Sequence, residues 1–382
     1  MTEAAVLNPV AEASVGREES ATISPRRLIW LRFRRHRLAY FSGIFLLLMY
    51  IVTGLCEFVS PYGTTTRNDD AINAPPMRVH FFDAEGDFHL RPFVYAYRMQ
   101  VNEDTWMREY SEDTDRMFPI RFFARGESYV MWNLFKTDRH LFTTDEGGYI
   151  HLFGTDQLGR DMFSRVFYGG RISMSIGLVG VVLTLVLGIL IGGIAGYLGG
   201  IADRVVNKAI EVLTSIPGLP LWMALSAALP AHWSPILVYF GISVILSLFG
   251  WTGLARQVRG RFLSLREEEF VMAARLIGAD TPRVISKHML PSFSSHIIAT
   301  ATLAVPAMIL GETALSFLGI GLRPPVVSWG VLLFQAQNPL VIEMTPWQML
   351  PGLAVVLVVM AFNLLGDGLR DAADPYSTAG AK

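Results

Sequence analysis

Six apolar runs set the pattern of this chain, and each reaches or approaches the length of a membrane-spanning helix. They cover residues 38–56, 172–202, 212–231, 233–255, 292–311 and 344–366. A spanning helix needs about 20 apolar residues, and none of the runs shows the strict alternation of a membrane β-strand. The pattern therefore predicts an all-α polytopic membrane protein with six transmembrane helices.

The longest polar interruption, residues 60–170, separates the first two runs. Its aromatic, β-prone pieces, such as "HLRPFVYAYRM", alternate with turn-type sequences such as "DAEG" and "DEGG". Short strands joined by turns have this composition. We expect a small, mostly β domain inserted between the first and second transmembrane helices.

A second polar segment, residues 256–288, lies between the fourth and fifth runs. Its central part, "EEEFVMAARLIGADTPRVISKHMLP", predicts a short helix, a break at Gly278 and a second helix with Thr281 as N-cap and Pro282 in the first position. Two interpretations are open from the residues alone. The segment is either a knob that fits a groove on a cytoplasmic protein, or a helical hairpin that lies on anionic lipid.

Basic residues fix the orientation of the predicted helices. They crowd before the first run, between the second and third runs, between the fourth and fifth runs, and after the sixth. Six alternating helices place all four groups on one side of the membrane, which the positive-inside rule makes the cytoplasm. Both termini are then cytoplasmic, and the β domain is periplasmic.

The predicted organisation has five parts. These are a cytoplasmic tail 1–37, a first transmembrane helix 38–59, a periplasmic insertion and elbow 60–170, a helical core 171–370 that contains the loop 256–288, and a cytoplasmic tail 371–382. The alternative for the first run is a cleaved signal or lipoprotein leader. Leu55, which precedes Cys56, is too large for a lipoprotein cleavage site, so we expect a retained helix.

Composition narrows the functional class. Hydrophobic residues make up 52% of the chain and charged residues 17%, whereas soluble domains carry about a quarter charged residues. The net charge of -1 gives no indication of a nucleic-acid partner, and the single cysteine excludes an internal disulfide. The sequence contains no metal-ligand cluster and no Gly-x-x-x-x-Gly-Lys phosphate loop, so we expect no metal site and no ATP hydrolysis by this chain.

Two features of the apolar runs are candidates for a translocation path or its gating. Glu312 follows the fifth run, and an ionisable residue at membrane depth is a functional hypothesis by default. Its alternatives are a pair with Arg323 or a hydrated site at the helix end. Pro217 and Pro220 indicate either a kink beside a path or a helix that begins with proline in its first turn.

A polar elbow is expected just before the second run, on the outer side. Asp156 or Asp161 either pairs with Arg160 or Arg165, which would set the direction in which the second helix begins, or acts as a local cap. The elbow comprises Gly154, Asp156, Gly159, Arg160 and Asp161.

Segment 256–288 resembles the cytoplasmic coupling loop of ABC importer permeases. The resemblance rests on "AARLIGA" and the following "HMLP". In this family the loop inserts a coupling helix into a cleft on the ATPase subunit. Met272 stands where the family pattern often has Glu, so the ion pair to the ATPase is either missing or supplied by Glu267, Glu268 or Glu269. The resemblance implies ATPase-coupling roles for Phe270, Met272, Ala273, Ala274, Gly278, Ala279 and Pro291.

Three further stretches narrow the resemblance. They are "FGTDQLGRDMFSRVFYGGRISMSIG", "GETALSFLGIGLRPPVVSWG" and "AFNLLGDGLRDAADP", which lie in this order along the chain. Together they resemble the second permease subunit of the dipeptide, oligopeptide and nickel importers, in a variant with an enlarged periplasmic domain. The resemblance implies a six-helix fold of the ABC importer permease type in the bacterial inner membrane.

The resemblance also implies partners and a substrate class. A second homologous permease, two ATPase subunits that bind ATP and Mg, a periplasmic solute-binding protein and the lipid membrane are expected, and no nucleic acid. The expected cargo is a peptide-like solute, with oligosaccharides or opine-like compounds as the alternative. An ion-coupled secondary transporter is the rival from another class, and a membrane-anchored structural or receptor protein is a further one.

Overall fold

The computed structural model describes residues 25–103, 108–145, 147–230 and 232–373. Most of the two predicted tails, 1–37 and 371–382, therefore lies outside the described residues. The described helices are numbered in chain order: α1 Pro25–Arg35, α2 Arg37–Gly54, α3 Cys56–Val59, α4 Met162–Leu198, α5 Gly200–Ser215, α6 Gly218–Ala227, α7 Pro235–Leu265, α8 Glu269–Leu276, α9 Thr281–Arg283, α10 Leu290–Ser292, α11 Ser294–Phe317, α12 Trp329–Ala336, α13 Pro339–Met344 and α14 Leu350–Ala373. A π-helical turn, Val284–Met289, joins α9 to α10, and 3-10 turns occupy Asp69–Ala71 and Pro346–Met349.

Five of these helical segments are long and apolar enough to cross a membrane: α2, α4, α7, α11, and α14 with the 3-10 turn before it. The third predicted run, 212–231, is not one helix. Its residues belong to α5 and α6, which meet at 87°, so the described chain has five spans, or six if this bent pair counts as one. The predicted count of six is thus not confirmed.

Pro217 is the physical reason for the break in the third run. Proline has no backbone N–H and restricts the residue before it to extended conformations. Ile216 accordingly has φ −93° and ψ 130°, and Pro217 is the N-cap of α6. Pro220 lies in the first turn of α6, where proline is tolerated.

Two helices extend well beyond their apolar runs. α4 has 37 residues and α7 has 31, which correspond to about 55 Å and about 46 Å at 1.5 Å per residue. The hydrocarbon core is only about 30 Å thick, so their polar ends continue as helix outside it. As a result, α7 includes the first part of the predicted segment 256–288.

Glycines bring α4 and α7 into backbone contact. A Cβ at Gly188 would lie 2.8 Å from the Leu254 side chain, and a Cβ at Gly192 would lie 2.5 Å from the Ala255 carbonyl oxygen. At Gly196 it would lie 2.7 Å from the Arg259 carbonyl oxygen. Small residues at helix interfaces allow this approach in membranes.

A small β domain lies in the chain between α3 and α4. Its strands are β1 His80–Phe82, β2 Phe88–Val101, β3 Arg108–Phe122, β4 Arg125–Met131, β5 Phe135–Arg139 and β6 Phe142–Thr144. An antiparallel sheet has the order β1-β2-β3-β6, and β4 and β5 form a separate hairpin. The predicted β domain is confirmed.

Side chains from three strands of the sheet contribute to the core of this domain. Val94 and Ile120 are buried together with Met77, Phe142 and Ile150. The Tyr97 hydroxyl donates to the Pro76 carbonyl oxygen (3.1 Å). Burial raises the pKa of Tyr97 to about 12, so this donor keeps its proton at physiological pH.

Candidate functional site

The short helix α8 has an inner face that anchors it to the rest of the chain. Val271 and Ala274 are buried, one helical turn apart. They pack in one apolar cluster, whose other buried members are Leu254, Val258, Phe262, Leu265, Val284, Met289 and Phe293. The cluster joins α8 to the C-terminal half of α7 and to the start of α11, so these elements are held as one unit.

The opposite face of α8 is apolar and uncovered. Leu276 and Ile277 are 88% and 85% exposed, and Phe270 and Met272 are also exposed. Ala273 and Pro291 are exposed as well, whereas Ala274 points into the chain. Of the two alanines to which the resemblance gives a coupling role, therefore, only Ala273 faces outward.

A glycine turn ends α8. Gly278 has φ +85°, a conformation that glycine adopts without strain. Its N–H donates to the Arg275 carbonyl oxygen (2.9 Å), and the Ala279 N–H donates to that of Ala274 (3.0 Å). The structure has the predicted helix, break and second helix, but the N-cap of the second helix is Asp280 and not Thr281.

Charged side chains tie this region to the membrane helices. The Arg275 guanidinium lies 4.8 Å from the ring centroid of Tyr197, near the end of α4. Arg259 Nη2 of α7 donates to Asp203 Oδ2 of α5 (2.7 Å). Glu267 pairs with Arg266 (2.9 Å), whereas Glu268 and Glu269 are exposed at the start of α8, one turn from Met272.

Sequence reasoning missed the two most exposed apolar residues of this region, Leu276 and Ile277. The signal was present in the spacing. Val271 and Ala274 mark the buried stripe, and positions 276 and 277 fall off a stripe that repeats every three to four residues. Without the position of α7, however, the spacing does not tell which stripe is the buried one.

Glu312 is completely buried in a set of serine hydroxyl groups. Ser173 Oγ donates to Glu312 Oε2 (2.9 Å), and Ser316 Oγ and Ser328 Oγ donate to Oε1 (2.8 Å each). Ser173 belongs to α4 and Ser328 is the N-cap of α12, so one carboxyl group joins three elements. The alternative pair with Arg323 is not formed, because Arg323 Nε donates to the Gly319 carbonyl oxygen instead (3.1 Å).

Both predicted interactions of the elbow are present, on different aspartates. Asp156 Oδ2 accepts from Arg160 Nη2 (2.7 Å) and from Arg165 Nη1. Asp161 is the N-cap of α4, and its Oδ2 accepts from the Ser164 N–H (2.7 Å) and hydroxyl (2.6 Å). The ion pairs and the cap together define where α4 begins.

The two elbow glycines allow close approach of backbone segments. Gly154 has φ +71° and Gly159 has φ +68°. A Cβ at Gly154 would lie 2.6 Å from the Ala74 carbonyl oxygen, and a Cβ at Gly159 would overlap that of Asn68. The structure thus brings the predicted elbow residues together against the segment that precedes the β domain.

Two family models match this chain. Residues 188–377 match the binding-protein-dependent transport system inner membrane component. Residues 24–76 match the N-terminal TM domain of oligopeptide transport permease C. All six strands of the β domain lie between the two matched ranges.

Relatives of known name agree with these models. The chain is 41% identical to the dipeptide transport system permease protein DppC of Bacillus subtilis over 226 residues, which are 59% of this chain and 68% of that protein. It is 38% identical to the oligopeptide transport system permease protein OppC of Bacillus subtilis over 226 residues, 59% of this chain and 72% of that protein. It is 40% identical to the dipeptide transport system permease protein DppC of Alkalihalophilus pseudofirmus over 226 residues, which are 59% of this chain and 72% of that protein.

The chain belongs to the binding-protein-dependent inner membrane components, and it is a permease subunit of an ABC importer. It is a multi-pass protein of the inner membrane. Subunits of this family are transport components without an ATPase site of their own, since the nucleotide binds to partner ATPases. The family works in general with a partner permease, ATPases and a binding protein.

Proposed function

We propose that this permease subunit imports a peptide-like solute and that α8 is the helix through which the ATPase drives transport. The observation that carries the proposal is the uncovered apolar face of α8, with Leu276 and Ile277 almost fully exposed beside a buried anchoring face. A surface of this kind, charged at its edges, suits a groove on another protein better than it suits water. Contact with the partner is assigned to Phe270, Met272, Ala273, Gly278, Ala279 and Pro291, together with Leu276 and Ile277, whereas Ala274 holds the helix in place.

The anchoring face explains how a movement of α8 would reach the membrane. Val271 and Ala274 pack with Phe262 of α7, and α7 packs backbone to backbone on α4 through Gly192 and Gly196. Close-packed interiors shift between discrete arrangements and do not deform continuously. ATP-driven closure of the ATPases then rocks α7 and α4 together, from an inward-open to an outward-open state.

The lipid alternative for α8 is less well supported. A helix that lies on anionic lipid needs basic side chains beside its apolar face. Arg275, the basic residue within α8, is directed over the Tyr197 ring, and Glu268 and Glu269 occupy the exposed first turn. These acidic residues also offer the charge that Met272 does not provide.

The translocation path is proposed along an open face of α7 and α11. A cavity of about 370 Å³ lies there, and its lining includes the polar side chains of Thr184, Gln257, His296, Thr300 and Arg370. Polar groups at membrane depth need water or a protein partner, so this face suits a pore shared with a second permease. Pro217 and Pro220 lie in the bent pair of α5 and α6, and we propose that this kink also borders the path.

Glu312 acts as a positioning residue for α4, α11 and α12. Its carboxyl group is fully buried among three serine hydroxyls, so in this conformation it does not reach a solute. It would instead keep α4, α11 and α12 in register while the helices move. The elbow at Asp156 and Asp161 would do the same at the outer start of α4.

The proposed topology has six spans, with α5 and α6 together counted as one. Both termini and α8 then lie in the cytoplasm, and the β domain lies in the periplasm as an insertion between the first and second spans. A second homologous permease would complete the pore, two ATPases with ATP and Mg would bind below, and a periplasmic binding protein would deliver the solute. Peptide import is taken from the named relatives, with oligosaccharide or opine-like cargo as the alternative.

The test is co-purification of the tagged chain from its native membrane, with Ile277→Asp as the variant. Burial of an isoleucine side chain contributes about 1.5–3 kcal/mol, and an unpaired buried carboxylate costs more. At 1.4 kcal/mol for each tenfold change, ATPase binding should weaken by about 100-fold or more. The second permease should still co-purify, because the substitution lies at the ATPase face.

Leu90→Asp is the matched control, since Leu90 is 86% exposed but lies in β2 of the outer domain. This variant should retain both partners. Gly278→Arg, which places a bulky residue at positive φ, should lose the ATPases in the same way as Ile277→Asp. If no ATPase accompanies the unsubstituted chain, or if Ile277→Asp retains it, the coupling role of α8 is wrong. The solute class follows from adding peptides or oligosaccharides to the reconstituted importer and measuring stimulated ATP hydrolysis.

A further inference from the structure

The hairpin of β4 and β5 has an apolar tip that the described part of the chain leaves uncovered. Trp132, Leu134 and Phe135 are 51%, 77% and 52% exposed, and Val130 is exposed beside them. Hairpin tips on soluble domains are normally polar and rich in turn residues. This tip therefore needs a partner other than water.

Backbone contacts show which way the hairpin points. At its base, the Leu141 N–H donates to the Phe58 carbonyl oxygen (2.7 Å), and His140 Nδ1 lies 2.5 Å from that of Ser60. At its tip, Trp132 Nε1 donates to the Gly54 carbonyl oxygen (2.7 Å). From the base of the hairpin to its tip, the contacted residues thus move back along the chain from residue 60 to residue 54. These six residues span about 9 Å along the helix axis, at a rise of about 1.5 Å per residue.

Gly54 is the last residue of the membrane-spanning helix α2. The hairpin therefore points towards the bilayer, and its tip reaches the level at which α2 leaves it. Ile51 and Leu47, which lie one and two turns before Gly54 on the same face of α2, are also exposed. The apolar tip continues this exposed stripe of the helix.

We propose that the tip of the β4–β5 hairpin inserts into the adjacent leaflet of the bilayer and anchors the β domain to lipid. Trp132 has the arrangement of an interfacial tryptophan, with its N–H bound to a backbone carbonyl and its ring body uncovered. Lys136, which pairs with Val130 across the hairpin, is exposed next to the tip, where a long basic side chain reaches lipid phosphates.

Two further aromatic residues widen the apolar surface at the base of the hairpin. Phe122 and Phe123 are exposed, and the Phe123 ring lies 6.0 Å from that of Phe58. The anchor depends only on α2 being a span, and it holds whichever side of the membrane the β domain occupies. Failure of the coupling role proposed for α8 would leave it untouched, because the two surfaces share no residue.

The experiment uses the whole importer in lipid nanodiscs with a nitroxide label at Leu134→Cys. Oxygen concentrates in lipid, whereas a neutral nickel chelate stays in water, so collision rates with the two reagents report the surroundings of the label. Leu90→Cys is the matched control, because Leu90 is the same residue type, lies in the same domain and is similarly exposed, at 86%. The unsubstituted chain serves as the labelling blank, since Cys56 is buried.

We expect oxygen accessibility and loss of nickel accessibility at position 134, with nickel accessibility retained at position 90. Equal nickel accessibility at both positions would place the tip in water and overturn the proposal. Protection of position 134 from both reagents would also overturn it, because the tip would then be covered by the second permease or by the binding protein. Stimulated ATP hydrolysis by both labelled importers confirms that they are assembled.

Discussion

Alanine substitution at two glycines tests whether α4 and α7 pack backbone against backbone. A Cβ at Gly192 would lie 2.5 Å from the Ala255 carbonyl oxygen and 2.8 Å from Ala255 Cα. A Cβ at Gly253, on another face of α7, would meet no atom of the described residues within 4 Å. Both glycines lie inside membrane-spanning helices, so the two substitutions differ in their surroundings and not in their chemistry.

The expected magnitudes have opposite signs. Alanine is favoured over glycine inside a helix by about 1 kcal/mol, and Gly253→Ala should raise the free energy of unfolding by up to that amount. Gly192→Ala gains the same contribution, but backbone atoms cannot rotate away, so the helices must separate by roughly half an ångström. Overpacking of this kind costs about 1–3 kcal/mol, and the separation also weakens the contacts at Gly188 and Gly196. We expect a net loss of roughly 1–3 kcal/mol for Gly192→Ala.

The assay is thermal melting of the purified chain in detergent, followed by fluorescence-detected size exclusion. At roughly 2–4 °C for each kcal/mol, Gly192→Ala should lower Tm by several degrees, and Gly253→Ala should leave it equal or higher. A Gly192→Ala protein that melts at or above the unsubstituted Tm would refute the close approach. Equal losses at both positions would show that the effect belongs to alanine in these helices and not to the contact.

Two further predictions use the same protein. Glu312→Ala leaves three buried serine hydroxyls without their acceptor, so it should lower the free energy of unfolding by about 3 kcal/mol or more. Glu312→Gln keeps a carbonyl acceptor and should lower the free energy of unfolding by less. Equal losses of Tm in the two variants would contradict this account of the network. Cys56 is fully buried, so a maleimide at neutral pH should label it only after unfolding in SDS. Leu90→Cys is the reactive control. Rapid labelling of Cys56 in the folded chain would show that segment 54–60 opens.

The positions of the long helices were predictable from the sequence. The apolar runs 38–56, 172–202, 233–255, 292–311 and 344–366 each fall largely within one described span. A helix in lipid must satisfy its own backbone hydrogen bonds and present apolar side chains along its length, so the local pattern is sufficient. The break at Pro217 lies within the third run, 212–231. One helix was predicted there because the run is long and apolar, although the proline signal against it is equally local.

The turn at Gly278 and the elbow at Asp156 and Asp161 were predictable for the same reason. Their defining interactions join residues within a few positions of each other, as in the cap from Asp161 to Ser164. The family resemblance was equally local, since it rests on short motifs. These features require no knowledge of what lies beside them in space.

Only the tertiary structure decided which surfaces are covered. The carboxyl group of Glu312 meets Ser173, which is 139 positions away, and Trp132 meets Gly54, which is 78 positions away. Likewise, Ile277 is exposed because α7 and α11 cover the opposite side of α8. The sequence determines the helices, turns and family because those depend on neighbouring residues, whereas the partners of Glu312, the outward face of α8 and the direction of the β4–β5 hairpin depend on contacts between distant segments.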